Sequence, residues 1–192
     1  MATRQRRPAH REPRRPARRE PRRPVHREHR RVAPGAVPSA VVTVSDTRDA
    51  STDTSGAFIR NVLRRAGHPV VDAAILRDDP ARIAAHLGSL AGRGDVRLVL
   101  LTGGTGLGRR DATYEAIDGL LEKRLDGFGE LFRALSYRRI GSAAMLSRAV
   151  AGTYRGMVIF SMPGSESAVR LAMRRLILPE IGHLAALVAP PA

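Results

Sequence analysis

The stretch "LVLLTGGTGLGRRDATYEA", Leu98 to Ala116, decides how the rest of the chain is read. Its apolar run stops at Thr102 and suits a strand covered on both faces. Four glycines then fall within six positions, Gly103 to Gly108, followed by Arg109, Arg110 and Asp111 and by a helical pattern from Ala112. Such a turn has two readings. The glycines supply positive φ angles for a tight strand-to-helix connection. Alternatively, bare backbone lets several N–H groups approach an anion, with a helix N-terminus just beyond. The spacing is not the dinucleotide fingerprint, because the third glycine counted from Gly104 and Gly106 is Arg109. Nor is it a P-loop: Gly103 and Gly108 fit, but Arg109 and Arg110 replace the lysine and the hydroxyl residue. So many glycines, flanked by Thr102, Thr105 and two arginines, favour anion binding.

Outward from this turn, strand and helix patterns alternate. "AVVTVSD" from Ala40, "PVVDAAIL" from Pro69 and "VRLVLLT" from Val96 read as strands. "TSGAFIRNVLRRAGH" is helical, with Phe58, Ile59, Val62, Leu63 and Ala66 on one stripe and Gly67 placed to stop it. "DPARIAAHLGSLAG" offers Asp79 as N-cap, Pro80 at the first helical position and Ile83, Leu87 and Leu90 as inner face. Helices follow in "ATYEAIDGLL" and "FGELFRALSYRRI", a hairpin turning near Arg155–Gly156, and a closing helix from Ser165 broken at Pro179. This alternation predicts an α/β fold, a mainly parallel sheet sandwiched between helices. Ligands bind such folds at the carboxyl ends of strands. Four strand ends therefore matter: Ser45–Asp46, Asp78–Asp79, Thr102 to Gly106, and Met162-Pro163-Gly164-Ser165.

Each polar residue there has a plain alternative. Asp111 is either a functional carboxylate or a helix N-cap, a job for which Thr113 competes. Glu115 shares the Asp111 face of the helix and also suits the positive end of the helix dipole. Asp78 and Asp79 carry the same ambiguity, Asp79 more so before Pro80. Two carboxylates beside a phosphate cradle form an arrangement that holds Mg²⁺, which takes carboxylates, waters and substrate phosphates. His68, His86 and His183 have no metal-ligand spacing, and "PGSES" around Ser165 is not a nucleophile elbow. Arg148 either reaches a ligand or pairs on the surface.

The 192 residues suit one domain, and 43% hydrophobic content suits a folded one. The absence of cysteine excludes disulfides, thiolate zinc sites and iron–sulfur clusters, and fits a reducing compartment. No apolar run approaches the ~20 residues of a membrane helix and no signal-peptide pattern opens the chain, so a cytoplasmic protein without membrane partners is expected. The net charge of +15 is uneven: residues 1–34 hold thirteen arginines and three glutamates, a net +10, leaving +5 for the rest. That tail is a degenerate octapeptide, "HREPRRPA", "RREPRRPV", "HREHRRVA", with too little apolar content to fold. We read 1–38 as a disordered Arg/Pro-rich tail and 39–192 as the domain. The tail is an electrostatic arm, a targeting segment or a passive extension, the last being preferred because composition alone is weak evidence.

Taken together, "VSD", "DTSGAFIRNVLRRAGH", "TGGTGLGRRDATYEA", "GFGELFRALS", "SRAVAG" and "MPGS" resemble the MoaB/MogA family of molybdenum cofactor biosynthesis proteins, from Val41 to the closing helix. "DTSG" and the short overall length look more like the MoaB branch. The resemblance implies a three-layer α/β/α molybdopterin-binding fold, a homotrimer or homohexamer, and a partner for molybdenum insertion. It implies adenylylation: transfer of AMP from Mg·ATP to the terminal phosphate of molybdopterin, with pyrophosphate released. By the same carry-over, Asp78 and Asp111 are the catalytic and Mg²⁺-holding carboxylates. Thr102, Gly103, Gly104, Thr105 and Gly106 cradle the phosphate, with Ser147, Arg148, Pro163, Gly164 and Ser165 lining the same pocket. From their places beside these strand ends, Ser45, Asp46, Arg110 and Glu115 are added as expected substrate-binding residues. Tyr114 stands where the family usually has proline, a departure that loosens the helix start.

Two further readings come from the residues. Phe128, Leu131, Phe132 and Leu135 form a one-sided stripe that could cover the sheet. Helices already assigned to the first three strands account for much of that covering, so the stripe, with Ile140, suggests a subunit contact. Against the enzyme stand two other classes: a protein of the same fold that binds molybdopterin or its precursor without turnover, and a nucleic-acid binder acting through the tail.

Overall fold

The computed structural model describes residues 35–108 and 111–188. Six strands form one sheet in the order β2–β1–β3–β6–β5–β4. They are β1 (Ser39–Val44), β2 (Val70–Leu76), β3 (Leu98–Thr102), β4 (Lys123–Arg124), β5 (Val150–Tyr154) and β6 (Met157–Met162). β2, β1, β3 and β6 run parallel; β5 and β4 extend the sheet antiparallel from β6. The expected mainly parallel sheet is present, and the hairpin turns at Arg155 and Gly156, both with positive φ. The two-residue β4 gave no sequence signal, its exposed Lys and Arg having neither alternation nor apolar content.

Helices cover both faces because alternate strand residues point to opposite sides. On one face Val41, Leu98, Leu100, Val158 and Phe160 pack with Ile59 and Leu63 of α1 (Thr54–Arg65) and with Phe128 and Phe132 of α4 (Asp126–Ile140). The closing helices α5 (Glu166–Ala172) and α6 (Ile181–Val188) complete that layer, separated by a π-helical turn over Met173–Ile177 and the break at Pro179. On the other face Ala40, Val42, Val99, Leu101 and Ile159 meet Ile83, Leu87 and Leu90 of α2 (Pro80–Arg93) and Ile117 of α3 (Thr113–Leu120). The result is the three-layer α/β/α sandwich expected.

Local signals explain most boundaries. Asp79 caps α2, its carboxylate accepting from Ala81 N at 2.9 Å and Arg82 N at 3.2 Å. Gly67, at φ 82°, ends α1, with Gly67 N donating to Arg64 O and His68 N to Leu63 O, the paired bonds of a Schellman motif. α1 begins at Asp53, buried, which accepts from Gly56 N at 2.9 Å, Thr43 Oγ1 at 3.0 Å and Arg60 Nη1 at 3.3 Å. One carboxylate thereby ties the end of β1 to the helix that follows it.

Two expectations are corrected. Val37, assigned to the tail, packs in the core, and its N–H donates to His68 Nδ1 at 3.1 Å, so the domain begins before residue 39. The rest of the tail reading, residues 1–34, lies outside the described residues. The α4 stripe divides. Phe128 stacks edge-on against Phe160 at 4.8 Å and Phe132 is fully buried, each contributing roughly 1.5–3 kcal/mol, whereas Leu131 and Ile140 stay exposed. The phenylalanines cover the sheet.

Candidate functional site

The loops after β1, β2, β3 and β6 converge on a cavity of about 590 Å³ at the carboxyl edge of the sheet. Its lining includes Ser45, Asp46, Asp78, Gly103, Gly104, Thr105, Gly106, Asp111, Ser147, Pro163 and Gly164, eleven positions that the sequence reading had singled out. Parallel pairing of β1, β3 and β6 brings these ends together, because strands in register finish side by side.

Close approach of neighbouring backbone and side-chain atoms explains these glycines. A Cβ on Gly103, which has φ 106°, would lie 2.1 Å from Val44 O; on Gly104, at φ 61°, it would meet Thr113 Oγ1 at 2.0 Å and Asp78 Oδ2 at 2.5 Å. The opposing loop is held just as closely. Thr102 is fully buried and its Oγ1 donates to Pro163 O at 3.3 Å, so it fastens two loops instead of facing the cavity.

The carboxylates occupy the other side of the glycine loop. Asp78 Oδ1 accepts from Thr113 Oγ1 at 2.9 Å and from Ala112 N at 3.3 Å. Burial pushes the Asp78 carboxyl above the usual aspartate range; the negative charges of Asp111 and Asp46 add to the rise, and the two hydrogen bonds oppose it. Asp111 Oδ2 accepts from Gly108 N at 2.9 Å and would lie 2.4 Å from a Cβ on Gly106. Asp111 is not the helix cap: α3 has Ala112 at that position, with no side-chain cap bond, and Thr113 has spent its hydroxyl on Asp78. Among the described residues no group of three or more His, Cys, Asp or Glu forms a metal cage. Asp78 and Asp111 both line the cavity, and two carboxylates are a donor chemistry that would suit a hard cation completed by waters and substrate phosphates, as Mg²⁺ usually is.

The remaining sequence candidates fall elsewhere. Arg148 and Glu115 are ion-paired behind the glycine loop, and the arginine's hydrogen bond holds the Glu115 carboxyl below its usual range. Neither is among the cavity-lining residues. Ser165 sits at the N-cap position of α5 without a side-chain cap bond, also outside the lining. Arg110 lies outside the described residues. His86, on α2, pairs with Asp72, and His183, on α6, pairs with Glu180.

Arg48 was missed. It lines the cavity and both terminal nitrogens reach Gly164 O at 3.2 Å, an oxygen that also accepts from Ser55 Oγ at 2.9 Å. The Ser45 hydroxyl makes the turn that aims it, accepting from Thr47 N and Arg48 N. Its place two residues beyond Asp46 was the available signal.

A doubly covered, mainly parallel sheet with a glycine turn and two carboxylates at its carboxyl edge defines an α/β protein whose cavity lies at the strand ends, where such folds bind ligands. Residues 40–183 match the family model described as "Probable molybdopterin binding domain". The molybdenum cofactor biosynthesis protein B of Halalkalibacterium halodurans is 51% identical over 153 residues, covering 79% of this chain and 90% of that protein. The protein of the same name from Bacillus anthracis is 53% identical over 155 residues, with the same coverage. A crystal structure of a molybdenum cofactor biosynthesis protein B superposes with a TM-score of 0.78 at 50% identity, covering 81% of this chain and 98% of that one. The chain belongs to the MoaB/MogA family of molybdenum cofactor biosynthesis proteins.

Proposed function

We propose that the chain binds molybdopterin in this cleft and transfers AMP from Mg·ATP to its terminal phosphate. One observation carries the reading: a glycine-rich loop stands beside two carboxylates, Asp78 and Asp111, in one cavity. The glycine loop receives the phosphate of molybdopterin, whose oxygen attacks the α-phosphorus of ATP. A new P–O bond forms, the α–β bridging P–O bond breaks, and pyrophosphate leaves. Such transfer needs positioning and charge neutralisation instead of a protein nucleophile, which agrees with the absence of cysteine and of a base-activated serine among the described cavity residues. Asp78 and Asp111 hold Mg²⁺, which when bound neutralises phosphate-oxygen charge. Thr113 and Ala112 orient Asp78, Gly108 orients Asp111, and Arg48 places a cation at the cavity wall.

The assembly proposed with this function is a homotrimer or homohexamer. Exposed Leu131, Tyr137 and Ile140 on α4, with Met145 and Leu146 beyond it, supply apolar surface for a subunit contact. The deciding experiment incubates the protein with molybdopterin and Mg·ATP and measures pyrophosphate. Release at a rate that follows protein concentration is the expected result. Tight molybdopterin binding with no pyrophosphate would instead define a carrier of the same fold.

A further inference from the structure

Arg148 spends its donors on two backbone carbonyls and one carboxylate. Nε donates to Thr105 O at 3.1 Å and Nη2 to Gly106 O, while Nη1 pairs with Glu115. The guanidinium lies over the Tyr114 ring, 4.8 Å from its centroid. One residue upstream, Gly104 O accepts from Thr113 N at 3.2 Å. Three successive carbonyls, of Gly104, Thr105 and Gly106, are therefore engaged by α3 and Arg148. A trans peptide points its N–H opposite its C=O, and no peptide among the described residues is cis. The N–H groups of Gly106 and Leu107 consequently face away from Arg148, and that of Thr105 away from Thr113 N; among the described residues none of the three donates to a hydrogen-bond acceptor. Thr105 and Gly106 line the cavity and Arg148 does not. Successive N–H groups presented on one side make an anion-binding concavity.

We infer that Arg148 is a positioning residue: it draws the carbonyls of the glycine loop outward so that the loop's N–H groups receive the anion, and Glu115 and Tyr114 hold the arginine in that pose. The inference rests on the reading that the cleft takes a phosphate ester. The arginine fork suits the task because adjacent nitrogens reach two carbonyls and a carboxylate at once; a lysine ammonium is a single point of charge. Glu115 makes the distinction testable. A carboxylate near an anion site weakens binding by charge alone, so its neutralisation tightens binding if Arg148 acts through charge and loosens it if Arg148 acts through geometry.

The test titrates inorganic pyrophosphate into the full chain by calorimetry and follows the ¹⁵N–¹H resonances of Gly106 and Leu107, with circular dichroism to show that each variant is folded. In the wild type both amides shift on binding. Arg148→Lys is expected to weaken pyrophosphate about tenfold or more and to abolish those shifts, from lost charge-assisted hydrogen bonds. Glu115→Gln is expected to weaken it about threefold, in spite of removing a negative charge. Wild-type affinity in Arg148→Lys, or tighter binding by Glu115→Gln, overturns the inference and leaves the cleft reading intact. If the wild-type amides ignore pyrophosphate altogether, the phosphate reading falls and the inference with it.

Discussion

Thr113 Oγ1 donates to Asp78 Oδ1 at 2.9 Å, joining the loop after β2 to the first residue of α3 across the glycine turn. This bond opposes the burial that raises the Asp78 carboxyl, so it bears on how the proposed cation site responds to pH. Asp78 is held above its ordinary value of 3.8 by burial, and the threonine is the largest influence opposing the rise. Thr113→Val removes the donor at nearly constant shape, so the Asp78 carboxyl climbs further. The acid limb of the pH–rate profile for pyrophosphate release should move to higher pH, with activity recovering as pH rises. An unmoved limb would show that Asp78 ionisation does not control the rate.

Asp78 should also cost the empty protein stability. Its folded pKa is raised above 3.8, so the folded state holds the proton longer than the unfolded chain does. Stability contributed by the protonated form is present below 3.8 and lost as pH rises through the folded pKa. At neutral pH the charge is therefore a burden. Asp78→Asn keeps an acceptor for Thr113 and Ala112 and removes that charge. The variant should melt higher than wild type at pH 7, with the gap closing on acidification, while adenylyl transfer is lost. A lower melting temperature at pH 7 contradicts this account.

Asp111→Asn should separate binding from chemistry. The amide oxygen still accepts from Gly108 N, so the loop stays in place. Removing charge that acts in the transition state is expected to lower AMP transfer by about 10²-fold or more and to leave molybdopterin affinity within a few-fold. Normal turnover by this variant would make Asp111 a loop fastener only.

The glycines divide into two kinds, and alanine scanning of stability should sort them. Gly103→Ala places a methyl 2.1 Å from Val44 O at φ 106°, and a loss of about 3 kcal/mol or more is expected from strain and overlap. Gly92, inside α2, has open space where its Cβ would go, so Gly92→Ala should stabilise by roughly 0.5–1 kcal/mol. Equal effects in denaturant melts would refute the distinction.

His68 supplies a second pH signature. Its Nδ1 accepts from Val37 N, which requires the neutral ring, and burial pulls its pKa below 6.5. Below 6.5 the unfolded chain takes up the proton first, so stability falls as pH drops through that range. His68→Asn offers an acceptor that does not titrate, and its melting temperature should vary less between pH 7 and pH 5.5 than that of the wild type. An identical pH dependence would place the acid sensitivity elsewhere.

By itself the sequence determined what is local or periodic. Strand and helix periods, the caps at Asp79 and Gly67, the break at Pro179 and the crowded glycines at 103–108 each follow from side-chain shape and backbone freedom within a few residues. Because parallel strands place their carboxyl ends together, the same reading located the cavity. Only tertiary structure decided which way each side chain spent its bonds. Asp111 and Thr113 compete for the cap in the sequence, and the fold decides by setting Asp78 beside α3, where it takes the threonine hydroxyl. Arg148 was assigned to the ligand, but it lies against carbonyls more than forty residues earlier in the chain, a contact that no spacing encodes. Phe128 and Phe132 were bound to be buried somewhere, since apolar rings leave water wherever a surface is offered. That the surface was this chain's own sheet depended on the packing of Phe160 beneath them.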